Sequence, residues 1–207
     1  MPDLSLEIAL QARGFERIAG IDEAGRGPLA GPVTAAAVIL PRGFECSGLD
    51  DSKKISPAKR DELYERLTTD PRVLWAVAEA SREEIDRINI LRATHLAMRR
   101  AAEVFSPHPH HCLIDGLPLR DFPFAYDAIV KGDGRSLSIA AASIIAKVTR
   151  DRIMRAMDRD FPQFGFASHM GYATNGHLEA LRIHGPCCHH RRSFQPVAQL
   201  SLPLEFG

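Results

Sequence analysis

The sequence predicts an α/β fold with helices on both faces of its sheet. Three observations predict it. Strand-like and helix-like segments alternate along the chain, two helix starts carry local capping signals, and several apolar runs end on an acid beside glycine.

The elements follow in order. Arg17 to Asp22 and Val33 to Leu40 are apolar, β-branched or small, and the glycine and proline cluster between them marks a tight connection, so the two read as a strand pair. Ser56-Pro57 ahead of "AKRDELYERL" supplies an N-cap serine and a proline at the first helical position, with leucines on one face. Val73 to Ala80 is a further strand. Ser81 with Glu84 forms a capping box, and one long helix is predicted onward, with Ile85, Ile88, Leu91, His95, Met98 and Ala102 on one face. "CLID" ending at Asp115 and "AYDAIV" ending near Lys131 suit buried strands, and Ser138 to Met157 is a tightly packed second long helix. Beyond Phe161 the pattern is loop, a short helix around Leu178 to Ile183, and a proline-bounded tail.

Composition narrows the class. With 207 residues, 45% hydrophobic and 25% charged, there is apolar material for one sizeable core, and no linker or repeat divides it. Met1 to Gln11 lacks the pattern of a signal peptide, and no run approaches the ~20 apolar residues of a membrane span, so the cytoplasm is expected. The four cysteines do not make a disulfide framework, since Cys187 and Cys188 are adjacent, and all are read as reduced. A net charge of zero, from 26 basic and 26 acidic residues, leaves any nucleic-acid binding to local patches.

Four carboxylates stand where strands end: Asp22 and Glu23 before Gly25, Asp115 before Gly116, and Asp133 between Gly132 and Gly134. Strand ends converge at one sheet edge, so acids far apart in sequence can meet there. Clustered carboxylates raise one another's pKa unless a cation neutralises them, and hard oxygen donors suit Mg²⁺ or Mn²⁺. Two such ions about 4 Å apart are the usual device for in-line phosphoryl displacement. The competing reading is that each acid is a turn former beside its glycine.

Taken together, "GIDEAGRGPLAGP", "DDSKKIS", "IDRINILRATHLAMRRA", "IDG", "IVKGD", "SIAAASIIAKVTRD" and "GFASHMGYATNGHLEALRIHGPCCHHRRSF" resemble ribonuclease HII from roughly Arg17 to Val197. The resemblance implies a ribonuclease H-like mixed sheet, one catalytic domain over residues 1–207, and a small helical substrate-binding extension over roughly 160–207. It implies a monomeric endonuclease acting on RNA/DNA hybrids and on the 5′ side of single ribonucleotides in duplex DNA, with 3′-OH and 5′-phosphate ends. Asp22, Glu23, Asp115 and Asp133 inherit the metal-ligand role. Arginine between Gly25 and Gly27 separates the sequence from the sister group, ribonuclease HIII, which carries another residue there.

Bare glycine backbone suits Gly25-Arg26-Gly27 to read a 2′-hydroxyl, the group that distinguishes RNA from DNA. Arg26 itself has two readings, a planar cation for phosphate and a structural salt bridge. Tyr172 matches the family tyrosine that stacks near the sugar at the junction; otherwise it is partly buried structure. Ser168 and Met170 depart from the family pattern, where lysines are usual. Lys53, Lys54, Ser143, Lys147 and Arg191 are candidate phosphate contacts or surface groups, and Asp151 supports the site or pairs with an arginine. A zinc-binding module built from "HPHHC" and "CCHH" is the alternative from another class, although adjacent ligands fit a tetrahedral ion poorly. A junction resolvase would share the acids but not the need for Gly25-Arg26-Gly27 and Tyr172.

Overall fold

The structure, a computed structural model, describes residues 1–46, 48–49 and 55–200. Five strands form one sheet: β1 (Ile18–Ala24), β2 (Val33–Ile39), β3 (Leu74–Ala80), β4 (His111–Asp115) and β5 (Tyr126–Ile129). Their spatial order is β3-β2-β1-β4-β5, with β1–β2 and β2–β3 antiparallel and β1–β4 and β4–β5 parallel, so the sheet is mixed as expected.

Strand β2 is buried along its whole length, and its side chains divide with the two-residue period of a strand. Val33, Ala35, Ala37 and Ile39 face one layer, built on α3 (Arg82–Ile88) and α4 (Ile90–Glu103). Ala36 and Val38 face the other, built on α2 (Pro57–Thr69) and α5 (Leu137–Asp160). Alanine on both faces lets helices come close. Gly20 of β1 takes this furthest, because a Cβ there would overlap the backbone of Ser138 and Ile139 in α5.

The capping signals act as expected. Ser56 accepts the Lys59 N–H ahead of α2, and the Ser81 and Glu84 box opens α3. The single long helix after Ser81 is corrected: Asn89, at φ 68°, ends α3 and caps α4 by accepting the Arg92 N–H. The break resets the phase of the buried face. Ala93, Ala97, Met98, Ala101 and Ala102 point inward, and Leu91 is exposed. Helix α1 (Ser5–Ala12) was not anticipated; its Glu7, 4% exposed, accepts the Ser136 and Ser138 hydroxyls and the Ser138 N–H at the start of α5.

After α5 the chain forms α6 (Phe166–His169), α7 (Asn175–His184) and α8 (Val197–Leu200). Phe164, Phe166, Leu181 and Val197 pack there with Met154 and Met157 of α5 and with Leu29 and Ala30 from the β1–β2 loop. The extension thereby covers the loop that follows the first acids. No described helix is long and apolar enough to cross a membrane, and all four cysteines are free.

Candidate active site

The sheet register brings the acids to one edge. Ile21 of β1 pairs with Ile114 of β4, so Asp22 and Asp115 come next on adjacent parallel strands. Asp115 in turn pairs with Ile129 of β5 and accepts the Gly132 N–H at 2.6 Å, which fixes the short turn Gly132–Gly134 that carries Asp133. Asp22 is 6% exposed. Its carboxyl accepts the Glu23 N–H at 2.7 Å and hydrogen-bonds Ser143 of α5. Burial first, then the charges of Glu23 and Asp115, hold it well above the usual carboxylate range.

Glu23 turns to Arg26, with Oε1 3.2 Å from the guanidinium Nη1, so the salt-bridge reading of Arg26 is realised. Its Oε2 is buried and accepts no hydrogen bond from the described residues. A buried carboxylate oxygen left without a donor, beside an Asp22 carboxyl that would need a cation to ionise, suits a divalent ion. The donor set is oxygen throughout, as Mg²⁺ and Mn²⁺ prefer. Among the described residues no group of three or more acids, histidines and cysteines is arranged to hold a metal ion; Asp22, Glu23 and Asp115 stand near one another at the ends of β1 and β4.

Beside them lies an open cavity of about 550 Å³ lined by Glu23, Gly25, Arg26, Gly27, Asp115, Lys147, Arg150 and Tyr172. Tyr172 is 47% exposed. Lys147 reaches this cavity from α5 and is held at 2.7 Å by Asp151, so Asp151 pairs with this lysine at the cavity wall.

Two candidate phosphate contacts are corrected. Arg191 is fully buried and its guanidinium donates to the carbonyls of Gly25, Arg26, Gly31 and Pro32, leaving no face for a phosphate. Ser143 is 5% exposed and directed at Asp22, so it supports a carboxylate. Lys53 and Lys54 lie outside the described residues. Met170 packs against the core of the extension at φ 51°, while Ser168 is exposed.

Three residues of the site went unread in the sequence. Arg150, 1% exposed, donates to the carbonyls of Ala30, Pro32 and Met170. The available signal was its position four residues from both Ala146 and Met154 on the buried face of α5. His177 and His190 form a chain beneath Tyr172. The Cys187 N–H donates to His190 Nδ1 at 3.0 Å, which leaves the His190 proton on Nε2 to meet His177 Nε2 at 3.0 Å. His177 then carries its proton on Nδ1 and donates to the Tyr172 carbonyl at 2.9 Å. Both rings are neutral: burial, then His177, pushes His190 down to about 4, and burial lowers His177.

Comparison with known proteins agrees with this architecture. The family model described as "Ribonuclease HII" matches residues 19–197. A ribonuclease HII of a Ruegeria species is 55% identical over 200 residues, covering 96% of this chain and 86% of that one. Among solved structures, ribonuclease H2 from Pyrococcus horikoshii superposes with a TM-score of 0.72 at 23% identity, over 89% of this chain and 96% of the other. Bst ribonuclease HIII, solved in complex with Mn²⁺, superposes at 0.67 with 18% identity, over 89% of this chain and 68% of the other. The two superpositions share the α/β, ribonuclease H-like fold.

Proposed function

The chain belongs to the ribonuclease HII family of metal-dependent endonucleases acting on the RNA of RNA/DNA hybrids, and from that premise we propose that it also cuts duplex DNA on the 5′ side of single embedded ribonucleotides. Ribonucleotide removal from DNA is the role this assigns. The observation that carries the reading is the shared cavity, in which the Gly25-Arg26-Gly27 backbone and Tyr172 stand beside Glu23 and Asp115.

Asp22, Glu23, Asp115 and Asp133 would hold two Mg²⁺ or Mn²⁺ ions. Such ions would supply Lewis-acid activation of water and charge stabilisation for a phosphodiester hydrolysis that leaves 3′-OH and 5′-phosphate ends. The protein's part is positioning. Ser143 orients the Asp22 carboxyl, and Gly132 orients that of Asp115. Glycine main chain accepts or donates to the 2′-hydroxyl without a side chain in the way, and the Tyr172 ring packs on the sugar. Lys147, held by Asp151, meets a phosphate, as does the outer face of Arg26; Lys53 and Lys54 are assigned the same task. The extension over roughly 160–207 presents Tyr172, and the enzyme acts as a cytoplasmic monomer.

The test is a labelled DNA duplex with one ribonucleotide, incubated with Mg²⁺ or Mn²⁺. A single incision 5′ to the ribonucleotide, with an all-DNA duplex left intact, is expected. Incision elsewhere, or none on this substrate while long hybrids are cut, would overturn the single-ribonucleotide reading.

A further inference from the structure

Arg150 and Arg191 are the two largest side chains fully buried among the described residues. A buried guanidinium ordinarily pairs with a carboxylate. These two instead make all their guanidinium hydrogen bonds, among the described residues, with main-chain carbonyls: three from Arg150 and four from Arg191, at 2.6 to 3.1 Å. Burial and the neighbouring Arg150 charge lower Arg191 to about 9, so it stays charged at neutral pH. Two like charges buried together are costly to desolvate, so what holds the pair in place is the set of carbonyls it satisfies.

The acceptors explain the pair. They are the carbonyls of Gly25, Arg26, Ala30, Gly31 and Pro32 in the loop after the first acids, together with that of Met170, two residues before Tyr172. Arg150 stands on α5, and Arg191 stands on the extension, where its N–H also donates to the Leu29 carbonyl. The Leu29 N–H closes the set by donating to the Gly171 carbonyl at 2.8 Å. The arginine forks therefore join three separate pieces of chain at the wall of the cavity.

We propose that Arg150 and Arg191 are positioning residues for ribonucleotide recognition, turning five loop carbonyls inward so that Gly25-Arg26-Gly27 and Tyr172 meet the sugar at a fixed separation. This rests on the reading above that the loop and Tyr172 recognise the sugar. Only a planar fork with several donors reaches carbonyls in different directions, so lysine keeps the charge and loses the function.

The test compares the full-length wild type with Arg191→Lys and Arg150→Lys. Four quantities are measured: melting temperature, kcat and KM on the single-ribonucleotide duplex, and the inhibition constant of an all-DNA duplex of the same sequence. Folded variants are expected to lose about tenfold or more in kcat, with the all-DNA inhibition constant within about twofold of wild type. A rise in that constant with kcat unchanged would make the arginines phosphate contacts and overturn the positioning role. So would a folded variant whose kcat stays within about twofold of wild type. If Arg191→Lys does not fold, Arg150→Lys, which spares all four Arg191 bonds, carries the same expectation; loss of the fold in both would make the pair core residues only and overturn the proposal. A wild type that fails to discriminate the two duplexes would instead overturn the recognition reading and the proposal with it. A discriminating wild type with discriminating, fully active variants overturns the positioning role alone.

Discussion

The ring of Tyr172 faces the bare Cα of Gly27: a Cβ at Gly27 would lie 3.4 Å from Tyr172 Cε1. That is ordinary contact, and Gly27 does not adopt the positive φ that would penalise a side chain. Gly27→Ala is therefore expected to fold with a stability change under about 0.5 kcal/mol. Its methyl group would narrow the slot where the sugar is read, and cleavage at a single ribonucleotide should fall by roughly tenfold or more. Gly25 behaves differently, since it sits at φ 97° and a Cβ there would overlap Arg150 Nε. Gly25→Ala should lose about 1–3 kcal/mol of stability as well as activity. Melting curves and single-ribonucleotide digestion on the same samples separate the two, and a fully active Gly27→Ala would show that the slot is not used.

Removing the Asp22 charge should uncouple stability from catalysis. The native carboxyl binds its proton more tightly than the unfolded chain, whose value is near 3.8, so metal-free stability falls as pH rises from there toward the native pKa. Asp22→Asn removes that loss. In chelator at pH 7 it should melt above wild type, with the two converging near pH 4, while cleavage falls roughly a thousandfold. Added Mg²⁺ should raise the melting temperature of wild type and much less that of the variant. Asp133→Asn should lose cleavage to a similar degree with the fold intact, and an unaltered rate in either would remove that residue from the catalytic set.

Tyr172, nearly half exposed, contributes little to the core. Tyr172→Phe keeps the ring and loses one hydrogen bond, so it should retain substantial activity, while Tyr172→Ala should fall much further. Truncation of a purely structural tyrosine would instead destabilise by about 3 kcal/mol and leave the folded fraction cutting normally. A stable Tyr172→Ala with wild-type cleavage contradicts the recognition role.

Phosphates carry no sugar identity, so Lys147→Ala should weaken binding to ribonucleotide-containing and all-DNA duplexes alike. The slope of log affinity against log salt should drop by about 1. Lys53→Ala is expected to act in the same way. Anisotropy titrations over a salt series check this, and a loss confined to the ribonucleotide duplex would place Lys147 in sugar recognition.

Acid should loosen the extension before it touches the sheet. His190 titrates near 6.5 when unfolded and at about 4 in the fold, so the unfolded chain binds the extra proton between those values. Stability is fully present above pH 6.5 and is lost as pH falls toward 4, by about 3 kcal/mol. Denaturant titrations of wild type and His190→Gln between pH 7 and 4 should show a shallower slope for the variant. Equal slopes would mean that the histidine chain under Tyr172 does not titrate in this range.

What the sequence determined by itself was whatever neighbouring residues specify together. Ser56-Pro57 and Ser81 with Glu84 announce helix starts because a cap satisfies N–H groups only three residues away. The runs before Asp22 and Asp115 announce strands because their apolar residues must be buried, and the acids at their ends then share a sheet edge. The tertiary structure alone decided what depends on distant partners. Asn89 splits a helix whose periodicity reads straight through it, because its positive φ ends α3 and its side chain caps α4, which then packs on β2 and β3. Arg191 looks like a surface cation beside Arg192 and proves to be buried, because its acceptors lie 159 to 166 residues earlier in the chain. No local pattern encodes such a contact; it exists only once the extension has folded back over the loop, where carbonyls shielded from water need a donor and the arginine supplies it.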